Sequence, residues 1–492
     1  MVPKILHIFL LSWLLVSAFV SAPASGQVPL PIRSLLDKPC MQGCSFALSV
    51  KEVNTGTVLY HYETDRQLTP ASVMKIITTA TALELLGTDY RFPTTLAYDG
   101  DLTEGMLEGN LYIQGSGDPS LGSAHFAPDK NTYTLDQNTF LPEWIAALQK
   151  AGIRQIRGAV IADESIFDTE GVSMKWVRED MGSYYGAGSY GLNLFDNLYR
   201  LYLRTAGSES RPHIQRTEPE LPELHFYNHL KTKQVPTDSS YIVGAPFASD
   251  RYLYGVVPAN RPSYILKGDL PDPALFLASY VSRQLEEKGI RVEGKPACYR
   301  LLKEEDGWQP QKRKEICTTY SPALEKIVEV TNHVSHNLFA DALLKTIGLS
   351  SGRPSSFGQG IQAIHAYWKE KGLDTASLWM YDGSGLAVAD KVSARFTTDV
   401  LAYMATRSAA SAAFIRSLPR AGLEGSVRNF LKGSRLQGKA RLKSGSMSRV
   451  KGYAGYIDHH GKRYAIALFV NNYACDGRAM NKALEELLLK LF

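Results

Sequence analysis

The chain has 492 residues, 44% of them hydrophobic and 21% charged, with a formal net charge of +5. Ordinary hydrophobic content over that length allows several cores, about three domains at roughly 150 residues each. So mild a positive excess, without Lys/Arg runs or aromatic residues interleaved among basic ones, gives no reason to propose a nucleic-acid partner.

Lys4 precedes an almost unbroken apolar run from Ile5 to Phe19, and small residues follow through Ser21-Ala22-Pro23-Ala24. This reads as a secretory signal peptide over 1–24, because the run falls short of the roughly 20 residues that span a bilayer; a retained anchor is the alternative. No later stretch is long and apolar enough to cross a membrane. The mature chain is therefore expected without a transmembrane span, exported to the periplasm or cell-wall space. Five cysteines in an exported chain suggest two local disulfides, Cys40–Cys44 and Cys298–Cys317, with Cys475 left over; free thiols are the alternative. No second Cys or His pair stands at ligand spacing, so no metal and no organic cofactor is expected.

Phe46, Leu48 and Val50 alternate before Asn54-Thr55-Gly56, and Val58 and Tyr60 alternate after it, which predicts a hairpin over Ser45 to Tyr62. A helix is predicted from Ala71 to Leu86, with Pro70 at its start and Gly87 at its end. From about Arg91 to Leu270 short strands broken by Gly and Pro dominate, apart from a helix at Leu141 to Ala151. Helices return at Pro273 to Gly289, Leu324 to Ile347, Phe357 to Lys371 and Thr397 to Thr406. Strands follow at Ala440 to Asp458 and Arg463 to Asn471, with His459-His460-Gly461 as the hairpin turn between them, and the chain closes on a helix from Ala479 to Phe492. The plan is a sheet flanked by helices, its strands drawn from both ends of the chain, interrupted by a large β-rich insertion.

Chemistry concentrates in the outer parts. Ser72-Val73-Met74-Lys75 opens the first long helix, where a three-residue spacing puts hydroxyl and amine on one face. A lysine whose pKa is lowered by burial can take the serine proton, and the unpaired N–H groups of a first helical turn can face an oxyanion. A surface helix start would show the same residues. Ser448-Arg449-Val450-Lys451 repeats the spacing on a predicted strand, where the two side chains point to opposite faces. Ser335-His336-Asn337 places a hydroxyl and an amide at a helix boundary, fit to relay a proton and hold a substrate amide, or simply to cap the helix. Lys443-Ser444-Gly445-Ser446 is read on a strand continuing to Tyr456, where Gly lets a ligand backbone lie close and the lysine and hydroxyls suit a carboxylate.

Together and in this order, the S-x-x-K, S-x-N and K-[ST]-G elements resemble those of penicillin-binding proteins and serine β-lactamases. The long stretch between Lys75 and Ser335 resembles in particular the low-molecular-mass class C D-alanyl-D-alanine carboxypeptidases and endopeptidases. Further similar phrases are Gly115 to Leu121, Asp382 to Leu386 and Leu418 to Ser426.

The resemblance implies an α/β (α+β) fold: a transpeptidase-like serine domain over 28–92 and 271–492, with insertion parts over 93–165 with 241–270 and over 166–240. It implies Ser72 as nucleophile, Lys75 as its base, and Ser335 with Lys443 as the route of the proton to the departing D-alanine. Asn337 would hold the peptide amide, Ser444 and Ser446 the terminal carboxylate beside Gly445, and the N–H groups of Ser72 and Ser446 the oxyanion. Asp163 would reach the free amine of the stem-peptide diamino acid, although a turn aspartate reads the same way. Peptidoglycan peptides are the implied substrates and β-lactams the covalent inhibitors.

Three departures stand out. Ser444 replaces the usual threonine, His336 stands where Asp or Asn is common, and Ala387-Val388-Ala389 lacks an arginine often found there. A serine β-lactamase and a non-catalytic wall-binding protein are the alternatives; a fast deacylation step would mark the first, and the second has no use for two lysines beside Ser72.

Overall fold

The computed structural model describes residues 28–127, 140–305 and 308–492, so the signal-peptide segment lies outside the described residues. No helix among the described residues is long and apolar enough to cross a membrane.

The predicted hairpin forms, with strands Ser45–Glu52 and Val58–Tyr62. The first of these lies inside a five-stranded antiparallel sheet ordered Ala440–Met447, Val450–His459, Lys462–Asn471, Ser45–Glu52, Val58–Tyr62. Successive side chains of a strand face opposite ways, so a strand covered on both faces is apolar throughout. That alternation separates two cores. Ala47, Ala465, Ala467 and Phe469 face a layer of helices that includes Lys75–Leu86, Leu324–His333, Asn337–Gly348, Phe357–Glu370 and Ala394–Thr406. Phe46, Leu48, Val50, Ile466, Leu468 and Val470 face the helices Leu30–Leu36 and Gly477–Leu491.

Two expected elements are interrupted, and both interruptions lie at the motifs. The helix expected over Leu324 to Ile347 is two helices, parted at Val334, Ser335 and His336, with Ser335 at φ 62°. The strand expected to run from Lys443 to Tyr456 turns back at Ser448-Arg449, so the second S-x-x-K match straddles a hairpin turn. The turn expected at His459-His460-Gly461 is present, with His460 at φ 48° and Gly461 at φ 73°.

The insertion is β-rich as expected, but its boundaries differ from the expected ones. Strands Pro93–Tyr98, Leu111–Gln114, Val160–Asp163, Ala297–Cys298 and Lys314–Tyr320 share one sheet, and the helix Pro273–Glu287 packs in the same apolar cluster. The chain rejoins the serine-bearing core at Leu324, not near 271. Residues 241–270 do not join the early strands: Asp250–Pro258 pairs with strands from 225–243, and Tyr264–Asp269 pairs with Leu198–Arg204. The apolar periodicity of Pro273–Glu287 reports that the helix has a buried face but not which core receives it.

The cysteine pairing is also corrected, since all five are free thiols. Cys298 and Cys317 occupy opposite edges of one sheet, in the cross-strand row Cys298, Ala162, Ile113, Leu96, Cys317. Four strand spacings put them roughly 19 Å apart, far beyond the ~7 Å Cα limit for a bridge. Cys40 is hydrogen-bonded not to Cys44 but to Cys475.

Candidate active site

Ala71–Met74 forms a 3-10 turn that runs on into the α-helix Lys75–Leu86, so Ser72 and Lys75 sit on successive turns of one continuous spiral. Lys75 Nζ donates to Ser72 Oγ at 3.0 Å, to Asn337 Oδ1 at 2.6 Å and to the Ser384 carbonyl at 2.6 Å. Its three donors are thereby filled. Asn337 is 262 residues away in sequence and is carried in by the first turn of the helix Asn337–Gly348. Its amide nitrogen donates to the Tyr185 carbonyl at 2.8 Å, which ties the insertion to the site.

Lys443 Nζ donates to Ser335 Oγ at 2.8 Å and to the Ser444 carbonyl at 2.7 Å. Ser444 Oγ donates to Ser426 Oγ at 2.7 Å, and Ser446 Oγ accepts from Lys451 Nζ at 2.8 Å. The left-handed backbone at Ser335 breaks the two helices and turns its hydroxyl toward the strand that bears Lys443. Both motif lysines are fully buried. Burial pushes Lys75 down to about 8, opposed by the neighbouring carboxyl groups of Asp341, Asp382 and Asp390; burial also pushes Asp341 and Asp390 well above the ordinary carboxyl range. Burial pushes Lys443 well below its ordinary range too, and the nearby Lys75 adds to the effect. Two ammonium groups so close disfavour one another, which keeps one amine available as a base.

The three aspartates were not legible as site residues. Asp382 Oδ1 accepts the N–H groups of Ser384 and Gly385, and Oδ2 accepts Ala387 N–H and the Trp176 indole. Asp341 Oδ1 accepts Gly383 N–H, and Asp390 Oδ1 accepts Tyr381 N–H. They shape the loop that presents the Ser384 carbonyl to Lys75. Asp382 belongs to a phrase singled out in the sequence, but Asp341 and Asp390 carry no motif; only the fold reveals their role. Ser426, also inside a quoted phrase, is met by Ser444 only once the fold is closed.

Asp163 is not part of this cluster. It is buried at the end of strand Val160–Asp163, where it is ion-paired with Arg313 and accepts the Ser165 N–H. Arg313 also stacks over Tyr112. Its carboxylate is thus already held by a guanidinium and a backbone N–H.

A helix-borne serine hydroxyl in contact with a buried lysine amine, under an antiparallel sheet with helices on both faces, is the constellation of an active-site serine hydrolase. The chain belongs to the D-Ala-D-Ala carboxypeptidase 3 (S13) family, which matches residues 31–491. It is similar to a D-alanyl-D-alanine carboxypeptidase of Actinomadura sp. (strain R39), 26% identical over 459 residues, covering 90% of this chain and 80% of the relative. D-alanyl-D-alanine carboxypeptidase DacB of Haemophilus influenzae is 23% identical over 440 residues, covering 88% and 86%. In fold the chain is similar to the crystal structure of penicillin binding protein 4 (dacB) from Haemophilus influenzae, with a TM-score of 0.79 at 22% identity over 93% of this chain and 98% of that one. The same protein complexed with a novel β-lactam gives a TM-score of 0.75 at 21% identity, over 94% and 99%.

Proposed function

We propose that the chain hydrolyses the D-alanyl-D-alanine bond of peptidoglycan stem peptides through an acyl-enzyme on Ser72, and that β-lactams acylate the same hydroxyl. The observation that carries this is the 3.0 Å contact between Lys75 Nζ and Ser72 Oγ in a site where burial holds Lys75 near 8. Neutral Lys75 takes the Ser72 proton as the hydroxyl attacks the carbonyl between the two D-alanines. The N–H groups of Ser72 and Ser446 face the developing oxyanion, a type of contact worth on the order of 100-fold or more in rate. Lys443 and Ser335 pass a proton to the departing D-alanine nitrogen. Water then attacks the acyl carbon and frees Ser72.

Asn337 holds the substrate amide once it exchanges its present partners, and Ser444 and Ser446 bind the terminal carboxylate beside Gly445. Asp163 is left out of the binding set because Arg313 already holds it. The chain carries a signal peptide over 1–24 and works in the periplasm or cell-wall space, on uncross-linked pentapeptides and on cross-links alike. Both substrates place the same D-alanyl bond at Ser72.

Incubation with purified muropeptides tests the reading. Loss of the mass of one D-alanine from pentapeptide monomers, together with conversion of cross-linked dimers to monomers, is expected; no change in either substrate would refute it.

A further inference from the structure

His336 separates Ser335 from Asn337, yet the mechanism gives it no part. Its ring faces the insertion. There it meets His125, with ring centroids 5.5 Å apart, and Asp196, whose Oδ1 lies 3.5 Å from His336 Nε2. One ligating atom from each of the three side chains lies within 4.8 Å of those of the other two.

We infer that His125, Asp196 and His336 form a binding site for a divalent transition-metal ion of the Zn2+ class, which joins the insertion to the loop bearing Ser335 and Asn337. Bonds of about 2.0–2.1 Å in a tetrahedral site set neighbouring donors roughly 3.4 Å apart. The His336–Asp196 separation already meets that value, and small side-chain rotations bring His125 in. Two imidazoles and one carboxylate suit zinc and its neighbours, whereas Ca2+ and Mg2+ favour all-oxygen cages.

The state of the donors supports the assignment independently. Asp196 is only 7% exposed, and its Oδ1 makes no hydrogen bond of ordinary geometry, with His336 Nε2 standing 3.5 Å away. A cation between the two side chains would give that buried oxygen a full-strength partner. Asp196 is also aimed by its backbone: Phe195, Asp196 and Asn197 all take positive φ, at 53°, 58° and 49°. The Asn197 side chain holds that turn by accepting from Leu194 N–H and donating to the Gly188 carbonyl and Asn193 Oδ1.

Three protein ligands leave a fourth position for water or a ligand. The three residues line a cavity of about 330 Å³ that Ser335 and Asn337 also border, with Arg200, Glu218 and Lys267 on its wall. The two insertion ligands and the motif-loop ligand are far apart in sequence, so ligand spacing along the chain could not reveal the set.

The test uses the chain freed of metal by chelation and then titrated with Zn2+ alone. One ion per chain is expected, bound at least ~10-fold more weakly by His125→Gln and by Asp196→Asn. Zn2+ should raise the Tm of the unaltered chain and leave that of Asp196→Asn unmoved. Zinc-edge anomalous scattering from crystals of the unaltered chain guards against variants that fail to fold, and should place the ion among the three side chains. No stoichiometric binding, equal binding by both variants, or an ion at another place such as Cys40 and Cys475 would overturn the site. None of these readouts depends on the acyl-enzyme chemistry.

Discussion

Gly445 lies so close to Pro70 that a Cβ built on it would stand 2.3 Å from the Pro70 carbonyl oxygen. Only a residue without a side chain lets the strand Ala440–Met447 press against the turn that carries Ser72. That approach seats the strand bearing Lys443 and Ser446 against the turn that carries Ser72, with Lys443 paired to Ala454 and Ser446 to Lys451 in register.

Gly445→Ala is therefore expected to push the strand off the helix start. The cost in stability should be about 1–3 kcal/mol, as for overpacking a core. Acylation by penicillin should slow on the order of 100-fold, since a displacement near 1 Å at a reacting centre has that effect. Denaturant unfolding and stopped-flow acylation would measure the two, and a near-native acylation rate would contradict the role given to this contact.

The depressed pKa of Lys75 sets a pH dependence. Ammonium cannot accept the serine proton, so the acylation rate should fall roughly tenfold per pH unit below about 8 and level off above it. Lys75→Gln should lower the rate by about 100- to 10,000-fold and abolish that limb. Between about 8 and 10.5 the unfolded chain binds more protons at this site than the folded one, so the contribution of Lys75 to stability rises with pH over that window. A flat rate profile from pH 6 to 9 would exclude Lys75 as the base.

Asp382→Asn should act in two ways. It removes one of the negative charges that hold Lys75 up, so the limb moves to lower pH. It also replaces a carboxylate that receives three backbone N–H groups and an indole, at about 1.5–3 kcal/mol per charged hydrogen bond before relaxation. A pH–rate profile alongside thermal melting separates the two effects; a limb displaced to higher pH would contradict the electrostatic account.

Oxidation should join Cys40 to Cys475, the thiols already in contact, and not Cys40 to Cys44. Cys298 should be the slowest to alkylate, because burial pushes its thiol up to about 12 and withholds the reactive thiolate. Peptide mapping without reductant, after timed iodoacetamide labelling, checks both. A Cys298–Cys317 crosslink within one chain would contradict the sheet order.

Much of this site was legible because its decisive spacings are local. Ser72 and Lys75 share a helix face at a three-residue interval, and alternating apolar residues in Ser45–Glu52 mark a strand whatever it packs against. The contacts that join distant segments were not legible. Nothing in the sequence around Asp341 or Asp390 says that either lies beneath Lys75, and nothing near Asp163 says that Arg313 neutralises it. The Ser335 break was legible as a helix boundary but not as a left-handed turn that aims a hydroxyl. The insertion's end was misplaced because Pro273–Glu287 has a buried face that would suit either core.

Mass spectrometry of the intact chain after incubation with penicillin tests most directly whether Ser72 is a nucleophile activated by Lys75. One adduct of the antibiotic's mass is expected, mapped to the peptide containing Ser72, lost in Ser72→Ala, and persisting for minutes or longer. An unmodified chain, or an adduct retained by Ser72→Ala, would contradict it.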